Sequence, residues 1–129
     1  MIELTDLRKT FGTVKAVDGV SFTARDGEIT GLLGPNGAGK TTTLRMLYTL
    51  MKPETGHISV DGVDITRDPD SARRKLGVLP DARGLYKRLT ARENIEYFGR
   101  LHGLDEAALK QRTDALIHSL GIEDIAGRR

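Results

Sequence analysis

The sequence predicts an α/β fold in which an antiparallel β-subdomain is interrupted by a strand, loop and helix unit and followed by the start of a helical subdomain. Three observations predict it. The first third of the chain consists of β-prone runs separated by glycine turns. An apolar run then ends in the glycine-rich loop Gly34-Pro35-Asn36-Gly37-Ala38-Gly39-Lys40-Thr41. Residues 90–120 carry helix caps and apolar residues at helical spacing.

Ile2 to Phe11 and Val14 to Ala24 read as strands joined at Gly12-Thr13, and Asp26-Gly27 marks a second turn before a third strand over Glu28 to Leu33. Glycine supplies the positive φ that tight hairpins need, and Val14, Val17, Val20 and Phe22 suit a half-buried pleated surface. After the loop, Thr41 to Met51 has no interior Gly or Pro and reads as a helix. Asp61-Gly62 joins strands over Ile58 to Val60 and Val63 to Ile65. A short helix follows Pro69 through Lys75, then a small apolar strand over Leu76 to Leu79, stopped at Pro80.

Thr90-Ala91-Arg92-Glu93 is a capping box, in which the Thr90 hydroxyl accepts the Glu93 amide and the Glu93 carboxylate accepts the Thr90 amide. A helix with Ile95, Phe98 and Leu101 on its apolar face is expected to run from there to Gly103. Asp105 caps another, with Leu109, Leu116, Ile117 and Leu120 as its stripe and Gly121 at its end. His102 and His118 fall on helix surfaces. The final Gly127-Arg128-Arg129 carries no stop signal, so the domain is expected to be incomplete.

Composition narrows the function. The 129 residues include no Cys, which removes disulfide and thiolate chemistry, and no apolar run approaches the roughly 18 residues of a membrane-spanning helix. The 20 basic and 18 acidic residues are interspersed, so no basic footprint for nucleic acid stands out and no nucleic-acid partner is expected. The start of the chain lacks the layout of a signal peptide.

Gly34 to Thr41 fits G-x-x-x-x-G-K-[ST] at every required position, and its place after an apolar strand and before a helix is what phosphate binding demands. Gly34, Gly37 and Gly39 let successive amides turn toward one anion, with Pro35, Asn36 and Ala38 completing the loop. The helix N-terminus adds free amides and the positive end of its dipole. Lys40 supplies a point charge for the β and γ phosphates; the Thr41 hydroxyl suits Mg²⁺, and Thr42 adds a further hydroxyl and amide.

In these residues the chain resembles the nucleotide-binding subunits of ABC transporters, whose loop commonly reads as Gly34 through Thr42 do here. The resemblance covers the whole chain and implies a P-loop NTPase core of the ABC type, divided into a β-subdomain (1–33 and 53–66), phosphate loop and helix (34–52), a Q-loop region (76–89) and the start of the helical subdomain (90–129). It implies that Phe11 stacks on adenine with Val17 as the small apolar contact beside it, although Phe11 taken alone reads more readily as an ordinary strand-end core aromatic.

It further implies that Asp81 stands where most members place a glutamine contacting Mg²⁺ and the attacking water. A carboxylate there binds a hard cation but cannot donate as an amide does; the plain alternative is a solvated loop Asp. Arg83-Gly84-Leu85-Tyr86 and Leu89-Thr90-Ala91-Arg92-Glu93-Asn94 look most like bacterial exporters of the sodium-efflux and drug-efflux type. The resemblance implies ATP and Mg²⁺ as ligands, a second cassette bound head to tail, and a membrane-spanning permease subunit contacted through Arg83, Leu85, Tyr86 and Leu89. It also implies a cytoplasmic protein, peripheral on the inner face of the membrane.

Members of that family carry a signature segment of the LSGGQ kind, an acidic magnesium strand, a catalytic glutamate and a switch histidine, and none of these is recognisable in this chain. The chain alone is therefore expected to bind nucleotide better than it hydrolyses it. Other readings stay open at this point: a soluble ATPase of the same type working on nucleic acid or the ribosome, and a nucleotide-binding module without turnover or a plain P-loop kinase whose substrate site is elsewhere.

Overall fold

In the computed structural model, residues 1–79 and 84–129 are described. They form two compact units, Met1–Val78 and Leu79–Arg129.

The first unit is built on an antiparallel sheet. Strands β1 (Ile2–Phe11) and β2 (Val14–Ala24) form the expected hairpin, closed at Gly12. Strand β3 (Thr55–Val60) lies on the other side of β1, and β4 (Val63–Asp64) pairs with β3, so the order is β2-β1-β3-β4. Asp61 and Gly62 both take positive φ (47° and 75°), the requirement of a tight two-residue hairpin. A bulge at Asp6 (φ 45°) explains a feature that strict alternation does not. Leu4 and Leu7 are three residues apart, yet both are buried, because the register shift between them returns Leu7 to the core face. Gly56 makes room for that bulge, since a Cβ there would lie 2.4 Å from the Asp6 carbonyl oxygen.

Helix α1 (Lys40–Leu47) lays Met46 and Leu47 into a core with Leu4, Leu7, Val17, Ile58, Val60 and Ile65. It is shorter than the expected Thr41 to Met51. The chain leaves the helix at Thr49 (φ 61°), with Leu50 N–H donating to Arg45 O (2.9 Å) and Thr49 N–H to Met46 O (3.0 Å). This paired termination usually recruits glycine; here Arg73 Nε donates to Thr49 Oγ1 (2.5 Å) and helps hold the unusual residue. Helix α2 (Pro69–Arg74) is capped by Asp68, whose carboxylate accepts Ser71 N–H at 3.0 Å, and it buries Ala72 in the same core.

Two expected strands do not form. Glu28 to Leu33 and Leu76 to Leu79 belong to no sheet, and Ile29 and Leu33 are fully or almost fully exposed (103% and 92%). An apolar β-prone run becomes a strand only when a neighbour takes up its N–H and C=O groups. Among the described residues no strand lies alongside either run.

The second unit pairs α3 (Ala91–Leu101) with α4 (Glu106–Leu120). The capping box at Thr90 is complete: Glu93 N–H donates to Thr90 Oγ1 (3.1 Å) and Thr90 N–H to Glu93 Oε2 (2.7 Å). Asp105 caps α4 through Ala108 N–H (2.8 Å), and Gly103 and Gly121 take the left-handed conformation after the two helices. Gly99 brings the helices together, since a Cβ there would stand 2.4 Å from Leu109 Cδ1. The buried stripe of α4 is Leu109, Thr113 and Ile117, whereas Leu116 and Leu120 are exposed, which rotates the expected face toward i, i+4, i+8. On α3 likewise, Phe98 and Leu101 face outward. Two first-turn amides of α3, at Ala91 and Arg92, donate to the carbonyls of Arg128 and Ala126 and so find partners the helix cannot give them.

Candidate functional site

The phosphate loop connects residues 28–33 to α1, and its conformation follows from its glycines. Gly37 (φ 84°) and Gly39 (φ 81°) take positive φ, while Ala38 and Lys40 are not among the positive-φ residues. Such alternation of left- and right-handed residues turns successive N–H groups to the same side and makes a concave nest for an anion. Gly39 is the residue before α1 and offers no side chain to cap it. The first turn holds no acidic residue either, so its free amides and dipole are left to an incoming anion. Thr43 N–H, donating to Gly39 O at 2.8 Å, is already part of the regular helix.

Lys40 folds back along the loop. Its Nζ donates to Gly34 O (2.6 Å) and Pro35 O (2.8 Å), which pins the two ends of the loop to each other and fixes where the charge sits. An ammonium has three donors, and two are used on the loop, so one remains for a ligand. Thr41 is exposed in the first turn of the helix, Thr42 is half-buried beside it, and Thr43 is buried.

The loop is seated on strand β2. A Cβ on Gly39 would lie 2.1 Å from the carbonyl oxygen of Ala16, and the Val17 side chain is next nearest. Val17 is only 4% exposed and belongs to the core beneath Gly39, so it floors the loop and has little surface left for a ligand. Phe11 is 47% exposed at the end of β1, opposite Val14, with Lys9 Nζ 5.7 Å from its ring centroid. Val14 is two residues from Ala16, which places the Phe11 position roughly 7 Å along the hairpin from the seat of the loop. The hairpin thus carries an open aromatic face at one end and the seat of the glycine loop farther along.

Other expected site residues are distributed differently. Asp81, expected to hold metal, and Arg83, expected at a partner surface, lie outside the described residues. Leu85 and Tyr86 are exposed and Leu89 is half-buried, all in the second unit. Among the described residues no group of three or more His, Cys, Asp or Glu converges on one point. Ala16 was not legible as a site residue, because its part is played by a backbone carbonyl that any residue would supply.

The family model described as "ABC transporter" matches residues 17–129. The chain belongs to the ABC transporter family. The ABC transporter ATP-binding protein NatA of Bacillus subtilis is 46% identical over the whole of this chain, which spans 54% of that protein. The daunorubicin/doxorubicin resistance ATP-binding protein DrrA of Streptomyces peucetius is 40% identical over 98% of this chain and 38% of its own length. A solved ATP-binding subunit of an ABC transporter superposes with a TM-score of 0.85 at 31% identity, over 98% of this chain and 52% of that one. An ATP-binding cassette solved as a dimer in a post-hydrolysis state with ADP and Pi gives 0.83 at 25% identity, over all of this chain and 61% of its own. The fold is that of an ABC ATPase domain in part, and this chain spans about half the length of the relatives it matches. No described helix is long and apolar enough to cross a membrane.

Proposed function

We propose that the chain is the nucleotide-binding part of an ABC transporter subunit that binds Mg-ATP at residues 34–42 and, in the whole protein, hydrolyses it to drive export through a separate membrane-spanning subunit. The observation that carries this reading is the loop itself: a nest with free helix amides, closed by an ammonium that keeps one donor in reserve. In this reading the nest and the first turn of α1 take the β and γ phosphates, Lys40 neutralises charge between them, and Phe11 packs on the base. Mg²⁺ bound with the nucleotide would polarise the phosphates, resting on phosphate oxygens, water and the Thr41 hydroxyl, with Asp81 proposed as a further ligand.

Resistance and export names among the relatives support export as the direction, and the cassette solved as a dimer supports a head-to-tail second cassette as the other wall of the site. The expected peripheral position on the inner face of the membrane follows from the same reading. The test is calorimetric titration of Mg-ATP into the wild-type chain and its Lys40→Ala variant, once circular dichroism shows both to be folded. Saturable binding that Lys40→Ala abolishes supports the reading. A folded wild-type chain that takes up no nucleotide would overturn it for residues 1–129.

A further inference from the structure

Asn94 is the one buried polar side chain of the second unit, among the described residues, that reaches out of its own helix to organise a loop. It is 6% exposed, on the first turn of α3. Its Oδ1 accepts Tyr86 N–H (2.9 Å), and its Nδ2 faces the carbonyls of Tyr86 (3.2 Å), Leu89 (3.3 Å) and Thr90 (3.0 Å). One primary amide thereby satisfies both backbone groups of Tyr86 and closes residues 86–90 into a loop against the helix.

The consequence appears at the Tyr86 ring. It stands edge-on to Tyr97 with centroids 4.9 Å apart, and the two hydroxyls lie within 3.3 Å; Phe98 is 6.4 Å away. The backbone of Tyr86 is fixed by Asn94, and its ring is braced by the next turn of the same helix. Half of Tyr86 nevertheless remains exposed, and Leu85 beside it more so. A residue that needs only to fill space would not be clamped at both ends and left open on one face.

We infer that Asn94 is a positioning residue: it holds Tyr86 and the loop to Thr90 in one conformation, and so presents Tyr86 ready-made to the membrane-spanning subunit. This rests on the reading above that Leu85, Tyr86 and Leu89 face that subunit. The chemistry of the clamp dictates the diagnostic variant. Asn94→Asp keeps the shape and the acceptor for Tyr86 N–H but replaces the donor with a carboxylate facing three carbonyls. Asn94→Ser keeps a donor and an acceptor without adding a buried charge.

The experiment uses the full-length subunit with and without its membrane-spanning partner in lipid nanodiscs, reading ATP turnover and nucleotide affinity, for wild type, Asn94→Asp, Asn94→Ser and Tyr86→Ala. Asn94→Asp is expected to lower partner-stimulated turnover by about tenfold while leaving partner-free nucleotide affinity unchanged, with Asn94→Ser falling between. Fluorine NMR of a fluorotyrosine placed at position 86 should change from one line to several in Asn94→Asp. If Asn94→Asp fails to fold by circular dichroism, Asn94→Ser carries the comparison. Loss on Tyr86→Ala with full activity in both Asn94 variants would overturn the positioning role alone. No loss on Tyr86→Ala would overturn the partner-surface reading and the inference with it.

Discussion

Gly39 rests against the backbone of Ala16 so closely that a Cβ on it would stand 2.1 Å from the Ala16 carbonyl oxygen. The glycine is therefore required twice, once by its φ of 81° and once by strand β2. Gly37 has a similar φ of 84° but nothing within 4 Å of its would-be Cβ. The two substitutions to alanine should consequently differ. Gly37→Ala should cost only the left-handed strain of about 1–2 kcal/mol. Gly39→Ala adds overpacking against an immovable backbone and should cost roughly 3 kcal/mol or more. Urea denaturation of the two variants checks this, and equal costs would mean that the seat on Ala16 is not a constraint.

Phe11 tests whether the hairpin contributes a base platform. Its ring is about half exposed, so truncation removes little core. Phe11→Ala should weaken Mg-ATP binding by roughly tenfold, since a stacked base is worth about 1–3 kcal/mol, while Phe11→Tyr should bind as wild type. Stacking reads a flat face and not an edge, so Mg-GTP should follow Mg-ATP within a few-fold. Titration calorimetry gives all of these values. Wild-type affinity in Phe11→Ala would return Phe11 to an ordinary strand-end residue.

The capping box gives a pH dependence with a definite sign. The Glu93 carboxyl is held below the ordinary glutamate value, by the Thr90 backbone amide first and the Thr90 hydroxyl second. A group whose folded pKa is depressed contributes stability that is present above its unfolded pKa and is lost as pH falls through the folded one. The second unit should therefore loosen as pH falls below the ordinary glutamate range and through the depressed value of Glu93. Glu93→Gln keeps the cap as an amide that does not titrate, and should flatten that part of the profile. Denaturation midpoints at neutral and acid pH for both proteins check it; identical acid sensitivity would assign the loss to other carboxylates.

What the sequence revealed and what it hid divide along physical lines. The Gly12 hairpin, the Asp61-Gly62 turn, the Thr90 box and the glycine loop were legible because each is decided by residues within a few positions of one another. Thr49 was not, because its helix termination uses a β-branched residue in a position usually given to glycine, held from a distance by Arg73. Thr113 was passed over for Leu116 and Leu120 because hydrophobicity alone ranks them in that order, whereas the facing helix selects by angle. The bulge at Asp6 and the carbonyl of Ala16 act through backbone atoms, which leave no trace in side-chain chemistry.

The unpaired run Ile29 to Leu33 supplies the sharpest remaining test. Its sequence is strand-like, its side chains at Ile29 and Leu33 are exposed, and the amides of residues 29–33 make no backbone hydrogen bond among the described residues. Amides of that kind exchange with solvent almost as fast as in a free peptide, whereas β1 is paired along one side with β2 and, from Ile2 to Arg8, along the other with β3. In the 129-residue chain, hydrogen exchange should thus be fast at 29–33 and slow through β1. The relatives are about twice as long, and a strand contributed by further sequence would take up these groups. In the full-length subunit the same amides should then become protected by orders of magnitude, with β1 little changed. Equal and rapid exchange in both proteins would mean that residues 29–33 remain unpaired in the whole domain, and that the strand expected before the phosphate loop is not part of its support.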